Sequence, residues 1–279
     1  MSAIEDLRKQ YHKQICKQVI YIKAGNKPSM ADVSSDLSVK VSRGLLKRLS
    51  YPVSAKSIAG QTAGQRLEQT TKEFLEKAFG LLEHLRPGTW QFSVHGNIAD
   101  FDQYKHLAAL SELVQTHKEL KTTLGEYVIQ PDIIVTRLPV SDNEINAKQP
   151  IVDKPNLPGF TPLRAANAAG PTLHASISCK WTIRSDRSQN ARTEGLNLIR
   201  NRKGRTPHIA VITGEPMPTR IASLAMGTGD IDCVYHFALH ELVEAVKEVG
   251  SEAATETLEI LIDGRRLRDI ADLPFDLAI

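Results

Sequence analysis

Apolar residues in the N-terminal part of the chain recur at the three- and four-residue intervals of an amphipathic helix. This spacing predicts a first helix over residues 3–22 and a second near 37–50, which ends before Pro52. A third and longer helix is predicted to start near Gly64 and to run to about Leu85. We therefore expect this part of the protein to be helical.

From residue 90 onward, the pattern changes to alternating or continuous apolar runs that are typical of strands. The predicted strands are Trp90–Val94, Tyr127–Leu138, Leu173–Ile183, Ile209–Thr213 and Cys233–Phe237. The helices predicted among them are 102–124, Asn190–Asn201 and Ala238–Val249. Residues 139–170 are rich in proline and glycine, and we predict a long surface excursion there, not a linker between domains.

Strands that alternate with helices predict the α/β fold class, with a central mixed β-sheet flanked by helices. We expect one domain over residues 1–279, because the strands on either side of the excursion need each other. Its helical N-terminal part would cover about 1–88, its α/β core about 89–240 and its helical C-terminal part about 241–279. A chain of 279 residues is long enough to bury the core that this arrangement requires.

Charge is distributed unevenly, although the formal net charge is only +3. Residues 180–205 contain eight basic and two acidic side chains, whereas residues 241–279 contain ten acidic and four basic ones. A basic segment on a nearly neutral chain is expected of a surface that binds phosphate groups. The alternative is a solvated helix face, which is the commoner explanation of a charge run.

The motifs that are absent from the sequence exclude several classes of function. The chain contains no G-x-G-x-x-G, P-loop, G-x-S-x-G or H-E-x-x-H motif. Cys16, Cys179 and Cys233 form no C-x-x-C pair, so neither a zinc site nor a disulfide framework is expected. Reduced cysteines, with no signal peptide and no apolar stretch of membrane-spanning length, favour a cytoplasmic protein without membrane association.

Four residues could carry phosphodiester chemistry at one end of the sheet. Asp132 follows Pro131 in a strand-like segment, and a carboxylate at a strand end suits Mg²⁺. Lys180 ends an apolar run, where a lysine is costly to bury unless it meets an anion. Glu194, on the first turns of the next helix, and Glu68, on the long N-terminal helix, could add carboxylates. The alternatives are a turn dipeptide, a lysine that extends to water and solvated glutamates.

Arg184 and Arg187 lie three residues apart at a predicted helix start, with Asp186 between them. Arginine presents a planar pair of donors that matches guanine O6 and N7, and aspartate can accept from the cytosine amino group. The cluster therefore suggests base recognition, and metal-dependent DNA cleavage becomes the leading hypothesis. The alternative is that Asp186 caps the helix while the arginines pair with nearby carboxylates.

The succession of Pro131-Asp132, Ser178-Cys179-Lys180 and Glu194 resembles the PD-(D/E)XK nucleases. Ser178 stands where the general motif has an acidic residue, as in the type II restriction endonucleases that cut sites containing CCGG. Within that subgroup the chain resembles the NgoMIV-type enzymes, above all over residues 173–205. The other similar segments are Gly60–Thr62, Arg86–Gly88, Gly229–Phe237 and Asp269–Pro274.

The resemblance implies a restriction-endonuclease-like PD-(D/E)XK core with a Mg²⁺-dependent active site, two ions in each site. The implied catalytic residues are Asp132, Lys180, Glu194 and Glu68. The implied metal ligands are Asp132, Glu68, Glu194 and the backbone carbonyl of Cys179.

Recognition residues are implied in the same way for double-stranded DNA. The residues that would read the central CCGG in the major groove are Arg184, Asp186 and Arg187. Those that would read the outer base pair are Asp32, Ser34, Gln61 and Arg220. The expected site is GCCGGC, cut after the first G to give 5′-CCGG overhangs with 5′-phosphate ends.

The resemblance also implies a homotetramer built from two dimers and a companion methyltransferase that acts separately in the host. Two alternatives from other classes remain open at this point. One is a repair or recombination nuclease that recognises DNA structure, and the other is a sequence-specific DNA-binding protein without enzymatic activity. Discrete fragments, nicks at junctions or a gel shift alone would distinguish the three.

Overall fold

A computed structural model shows a β-sheet with helices packed against it. It describes residues 2–117, 119, 122, 129–153, 157–227 and 229–279, without the side chains of residues 111, 115 and 185–188. The strands in this part of the chain are β1 Ile22–Lys23, β2 Lys27–Pro28, β3 Trp90–Val94, β4 Ile133–Arg137, β5 Thr172–Lys180, β6 His208–Thr213, β7 Cys233–His236 and β8 Leu267–Asp269. The helices are α1 Ala3–Gln18, α2 Asp36–Leu49, α3 Gly60–Gly80, α4 Ala108–Thr116, α5 Asp142–Ile145, α6 Ser185–Asn201, α7 Pro218–Ala225, α8 Leu239–Val249, α9 Glu252–Asp263 and α10 Leu273–Asp276.

The central sheet is mixed and has the order β3-β4-β5-β6-β7-β8. β4 runs antiparallel to both β3 and β5, whereas β5 to β8 run parallel to one another. This arrangement confirms the predicted α/β fold class. Ile133, which starts β4, pairs with Ile177 near the end of β5, and Lys180 pairs with Thr213 at the end of β6. The start of β4 and the ends of β5 and β6 therefore lie side by side at one end of the sheet.

The two faces of the sheet bury two separate cores because successive strand residues point in opposite directions. Ile133 and Val135 belong to the larger core, which also contains apolar side chains of α1, α2, α3 and α8. Ile134 belongs to a smaller core, where it joins Tyr104 and Leu198. The sheet is thus covered on both sides, and its loops, not its faces, are available for a site.

Serine hydroxyl groups fix the starts of four of the described helices. A serine precedes α1, α2, α5 and α9, and each hydroxyl accepts a hydrogen bond from a backbone N–H three residues further on. Such a cap satisfies one of the amides that a helix leaves unpaired at its N-terminus. The sequence signal for such a cap is local, and the predicted starts of α1 and α2 lie within one residue of the observed ones.

Other predicted bounds differ from the structure. The predicted helix 102–124 begins as 3₁₀ turns over Asp102–Leu107 and continues as α4, while residues 118, 120, 121, 123 and 124 lie outside the described residues. The predicted strand Tyr127–Leu138 is described from residue 129 and forms β4 only over Ile133–Arg137. Pro131 explains the late start, because proline lacks the N–H group that strand pairing uses.

The terminal parts of the chain also contain strands that the hydrophobic pattern did not predict. β1 and β2 form a two-stranded antiparallel sheet within the helical N-terminal part. β8 pairs with β7 and adds an edge strand to the sheet from the helical C-terminal part. β1, β2 and β8 are each only two or three residues long, too short to show a period-two pattern. Among the described residues, no helix combines the length and apolar character needed to cross a membrane.

Candidate active site

Asp132 and Lys180 lie at neighbouring ends of antiparallel strands. Asp132 directly precedes β4, not the end of a strand as the sequence suggested, and Lys180 is the last residue of β5. Because β4 and β5 run in opposite directions, the start of one lies beside the end of the other. The Asp132 Oδ2 atom accepts a hydrogen bond of 2.7 Å from the backbone amide of Cys179 and lies 3.2 Å from Lys180 Nζ.

Glu194 reaches the same edge of the sheet from α6. This helix starts at Ser185, five residues before its predicted start at Asn190, so Glu194 lies in its third turn and not in its first turns. The Ser178 hydroxyl nevertheless donates a hydrogen bond of 2.8 Å to Glu194 Oε2. The serine that replaces the acidic residue of the general motif therefore holds a carboxylate from the next helix in its place.

Glu68 is the least satisfied carboxylate of the group. Its side chain is 11% exposed, and its Oε2 atom has no hydrogen-bond partner among the described residues. His95 Nε2 lies 3.3 Å from this oxygen, but not in hydrogen-bonding geometry. Burial raises the pKa of Glu68, and the charge of Asp132 raises it further, against smaller opposing effects of His95 and Lys180. A buried carboxylate oxygen without a partner is costly and is expected to have a ligand.

The pKa values of Lys180 and of the neighbouring Cys179 are both raised, and the consequences for the two side chains differ. Burial lowers the pKa of Lys180, but the charges of Asp132 and Glu194 and the hydrogen bond to Asp132 outweigh it, so that its pKa is raised. The side chain is therefore an ammonium group. Burial also raises the pKa of the Cys179 thiol well above its ordinary value, which favours an inert thiol and not a nucleophile.

A cleft of about 390 Å³, which we call the catalytic cleft, joins these groups, since Glu68, Asp132, Cys179, Lys180 and Glu194 all line it. Carboxylate and carbonyl oxygens are hard ligands that suit Mg²⁺. Across the described part of the chain, no three His, Cys, Asp or Glu side chains come together as a metal site. The residues still fit a Mg²⁺ ion that takes the free Glu68 oxygen, Asp132 and a backbone carbonyl and completes its shell with water and phosphate, as this ion usually does.

Three of the four residues predicted to read the outer base pair form one network. Arg220 donates to Asp32 Oδ2 across 188 positions of sequence. The hydroxyl and the amide of Ser34 donate to Asp32 Oδ1 at 2.6 and 3.0 Å. The bonds from Ser34 and then the contact with Arg220 lower the pKa of Asp32 to about 2. Gln61, the fourth residue, is exposed at the start of α3, directly after Gly60, which lines the catalytic cleft.

A second cleft, of about 660 Å³, brings Arg184 to this network, because it is lined by Asp32, Arg184 and Arg220. We call it the recognition cleft. It shares Ser29 and Thr182 with the catalytic cleft. Arg184 is exposed and occupies the N-cap position of α6, so the capping role considered for Asp186 is wrong. The side chains of Asp186 and Arg187 lie outside the described part of the structure.

Two residues near these clefts were not found from the sequence. His95 follows β3 with a left-handed backbone (φ 57°) and contacts Glu68. Glu215, directly after β6 and Gly214, is fully buried. The only local signal for each is a charged or titratable residue next to a glycine just after a strand, and that signal is too common to identify a site.

The comparisons with known proteins agree with this geometry. The family model described as NgoMIV restriction enzyme matches residues 11–279. The Type II restriction enzyme NgoMIV of Neisseria gonorrhoeae is 49% identical over 257 residues, which cover 90% of this chain and 90% of that enzyme.

Proposed function

The chain belongs to the NgoMIV restriction enzyme family and is a type II restriction endonuclease, and on this premise we propose that it hydrolyses double-stranded DNA at GCCGGC. Cleavage after the first G leaves 5′-CCGG overhangs with 5′-phosphate ends. The observation that carries the chemistry is the contact of Asp132 with both Lys180 and the Cys179 amide, beside the unpaired oxygen of Glu68.

Mg²⁺ is the cofactor in this proposal, with two ions in each active site. Its ligands would be Asp132, Glu68, Glu194 and the backbone carbonyl of Cys179. When bound, the metal supplies positive charge to the scissile phosphate and lowers the pKa of the attacking water. The free Glu68 oxygen supports this assignment, because the protein itself offers it no hydrogen-bond donor among the described residues.

The other residues of the cleft position and neutralise charge. Lys180 is held as an ammonium group by Asp132, so it can stabilise the negative charge that develops on the phosphate oxygens. Ser178 fixes the Glu194 carboxylate on the same side of the cleft. Together these contacts orient two charges before DNA arrives, which reduces the reorganisation that the reaction requires.

Base recognition is assigned to the neighbouring cleft. Arg184, with Asp186 and Arg187, would read the central CCGG through the major groove. The outer base pair would be read by Asp32, Ser34, Gln61 and Arg220. The network of Asp32, Ser34 and Arg220 supports this assignment because its donor Arg220 and its acceptor Asp32 both line the recognition cleft, while Ser34 holds Asp32 in place.

Digestion of a fully sequenced phage DNA in Mg²⁺ tests the proposal. Discrete fragments whose ends map to GCCGGC, with a four-base 5′ overhang, would support it. Fragments that map to another sequence would overturn the proposed site. Nicks confined to junctions would indicate a structure-specific nuclease, and a gel shift without cleavage would indicate a DNA-binding protein.

We further propose one domain over residues 1–279 that assembles into a homotetramer of two dimers in the bacterial cytoplasm, with a companion methyltransferase that acts separately. Analytical ultracentrifugation would measure the mass, which is 30.8 kDa for one chain. A tetramer that engages two sites should also cleave a two-site plasmid faster than a one-site plasmid. A monomeric mass together with equal rates would contradict this assembly.

A further inference from the structure

The segments that follow β5 and β6 are tied together before either reaches a base-reading residue. Lys180 and Thr213 pair as the last residues of the two strands, and the Thr213 hydroxyl donates a hydrogen bond of 2.7 Å to the Lys180 carbonyl. One residue further on, the Gly214 amide donates to the Trp181 carbonyl at 3.0 Å. A Cβ atom added to Gly214 would lie 2.4 Å from the Trp181 ring, so the two segments are in direct contact.

The Glu215 carboxylate extends this connection to the recognition residues. Its Oε2 atom accepts a hydrogen bond of 2.8 Å from the amide of Ile183, the residue before Arg184. Its Oε1 atom accepts one of 3.1 Å from the amide of Met217, which is the N-cap of the helix that carries Arg220. One side chain therefore binds the backbone of the residue before Arg184 and the backbone at the start of the helix that carries Arg220.

The cost of burying Glu215 indicates that its two hydrogen bonds, which bridge the segments after β5 and β6, do more than fill space in the core. The residue is 0% exposed, and a buried carboxylate is destabilising unless hydrogen bonds compensate it. The compensation comes from two backbone amides, one on each segment. An ionised carboxylate has two acceptor oxygens, whereas the amide of glutamine has one acceptor and would direct its NH₂ group toward an N–H donor. The bridge therefore requires a carboxylate.

We propose that Glu215 is a positioning residue for DNA sequence recognition. Its carboxylate fixes the segment that ends in Arg184 against the helix that carries Arg220, so that inner and outer base pairs are read in one register. The inference rests on the proposed function, since it assumes that both arginines contact bases. It adds a residue that contacts neither DNA nor metal but determines how strongly the protein prefers the correct inner and outer base pairs over incorrect ones.

The test is Glu215→Gln, compared with unmodified protein, Arg220→Ala and the control Glu259→Gln, an exposed carboxylate on α9. Cleavage rates are measured on GCCGGC, on ACCGGT with a changed outer pair, and on GCTAGC with a changed inner tetranucleotide. We expect Glu215→Gln to lower the preference for GCCGGC over both variants by about ten-fold, the effect of one lost hydrogen bond to a charged group. Arg220→Ala should lower only the preference over ACCGGT, and Glu259→Gln should change neither.

The outcomes separate this inference from the proposed function. If unmodified protein does not cut GCCGGC, the proposed site is wrong, and the comparison moves to the mapped site and its variants. If unmodified protein cuts GCCGGC but Glu215→Gln preserves both preferences, or slows all substrates in proportion, the positioning role is wrong. Thermal melting reports whether the variant folds. Should it not fold, Glu215→Asp carries the test, because its shorter side chain can keep only one of the two amides, and unchanged preferences would again overturn the inference.

Discussion

The catalytic and recognition clefts lie side by side, but the hydrogen bonding and the pKa shifts of their carboxylates are opposite. In the recognition cleft, Asp32 is satisfied by Ser34 and Arg220, and its pKa falls to about 2. In the catalytic cleft, one oxygen of Glu68 has no hydrogen-bond partner within the described residues, and burial raises the pKa of that carboxyl group. One cleft is electrostatically complete without a ligand, and the other is not.

This difference indicates what each cleft exchanges when DNA binds. If the proposed assignment holds, bases that enter the recognition cleft compete with hydrogen bonds that the protein already makes, so a wrong base would leave donors and acceptors unpaired and be rejected. In the catalytic cleft, the Glu68 oxygen beside His95 makes no hydrogen bond within the described residues, so the proposed cation would bind there without breaking a hydrogen bond of Glu68. Substitutions in the first cleft should therefore alter selectivity, and substitutions in the second should alter turnover.

The largest effect is expected from Asp132→Asn in the catalytic cleft. The amide oxygen can still accept from the Cys179 amide, but the charge that would bind Mg²⁺ and hold Lys180 is lost. Cleavage of GCCGGC should fall by about a thousand-fold or more, or roughly 4 kcal/mol of transition-state stabilisation. Single-turnover cleavage in Mg²⁺ measures this loss.

Binding provides the control for that variant. A gel shift in Ca²⁺ should show that Asp132→Asn still prefers GCCGGC over ACCGGT, because the recognition cleft is intact. Mg²⁺-dependent cleavage within ten-fold of the unmodified rate would contradict the assignment of Asp132. Loss of preference in the binding assay would contradict the separation of the two clefts.

Arg220→Ala should produce the next largest effect, and in selectivity. The substitution removes the proposed donor to the outer base pair and also leaves Asp32 without its cation. We expect the discrimination between GCCGGC and ACCGGT to weaken by ~1–3 kcal/mol if the contact is bidentate. Competition binding at fixed salt measures it, and equal weakening on all sequences would instead identify Arg220 as a phosphate contact.

Sequence reasoning reached the two clefts unequally. Asp132 and Lys180 were predicted to meet because hydrophobic runs located both residues at strand ends. The structure brings them together through the antiparallel pairing of β4 and β5, with Asp132 before its strand and not at its end. The Asp32–Arg220 contact is invisible to such reasoning, because it joins a loop and a helix separated by 188 residues. The resemblance to known nucleases indicated these residues, but only the structure shows that they contact each other. Glu215 had no specific signal, since its partners are backbone amides that every sequence has and its place after a strand and a glycine is common.

Mg²⁺ should stabilise the folded protein in the absence of DNA through Glu68. A ligand at about ten times its dissociation constant adds ~1.4 kcal/mol to the free energy of unfolding. In Glu68→Gln this gain should shrink.

The raised pKa of Glu68 means that its contribution to stability is present below the ordinary pKa of 4.5 and is lost as the pH rises through the raised value. The neutral amide avoids that loss, so metal-free Glu68→Gln should be more stable than unmodified protein near neutral pH.

Thermal melting with Mg²⁺ or with EDTA at equal ionic strength separates the two effects. The control is Glu259→Gln, whose exposed carboxylate should neither bind the metal nor change the metal-free stability. An equal Mg²⁺ gain in Glu68→Gln and unmodified protein would exclude the Glu68 oxygen as a ligand.

The smallest effect concerns the recognition cleft and acid. Hydrogen bonds from Ser34 and the contact with Arg220 lower the pKa of Asp32 from 3.8 to about 2. A lowered pKa means that the folded state favours the ionised form, so the stabilisation is present above the ordinary pKa and is lost as the pH falls toward the lower value. The difference in unfolding free energy between unmodified protein and Asp32→Asn should therefore be constant from pH 7 to about pH 4 and shrink below it. Urea unfolding of both proteins across this range measures the difference. Groups that titrate in the same way in both proteins contribute equally to the two unfolding free energies and cancel in the difference. A difference that instead grows as the pH falls would show that the carboxylate is unsatisfied, and the contrast between the two clefts would no longer hold.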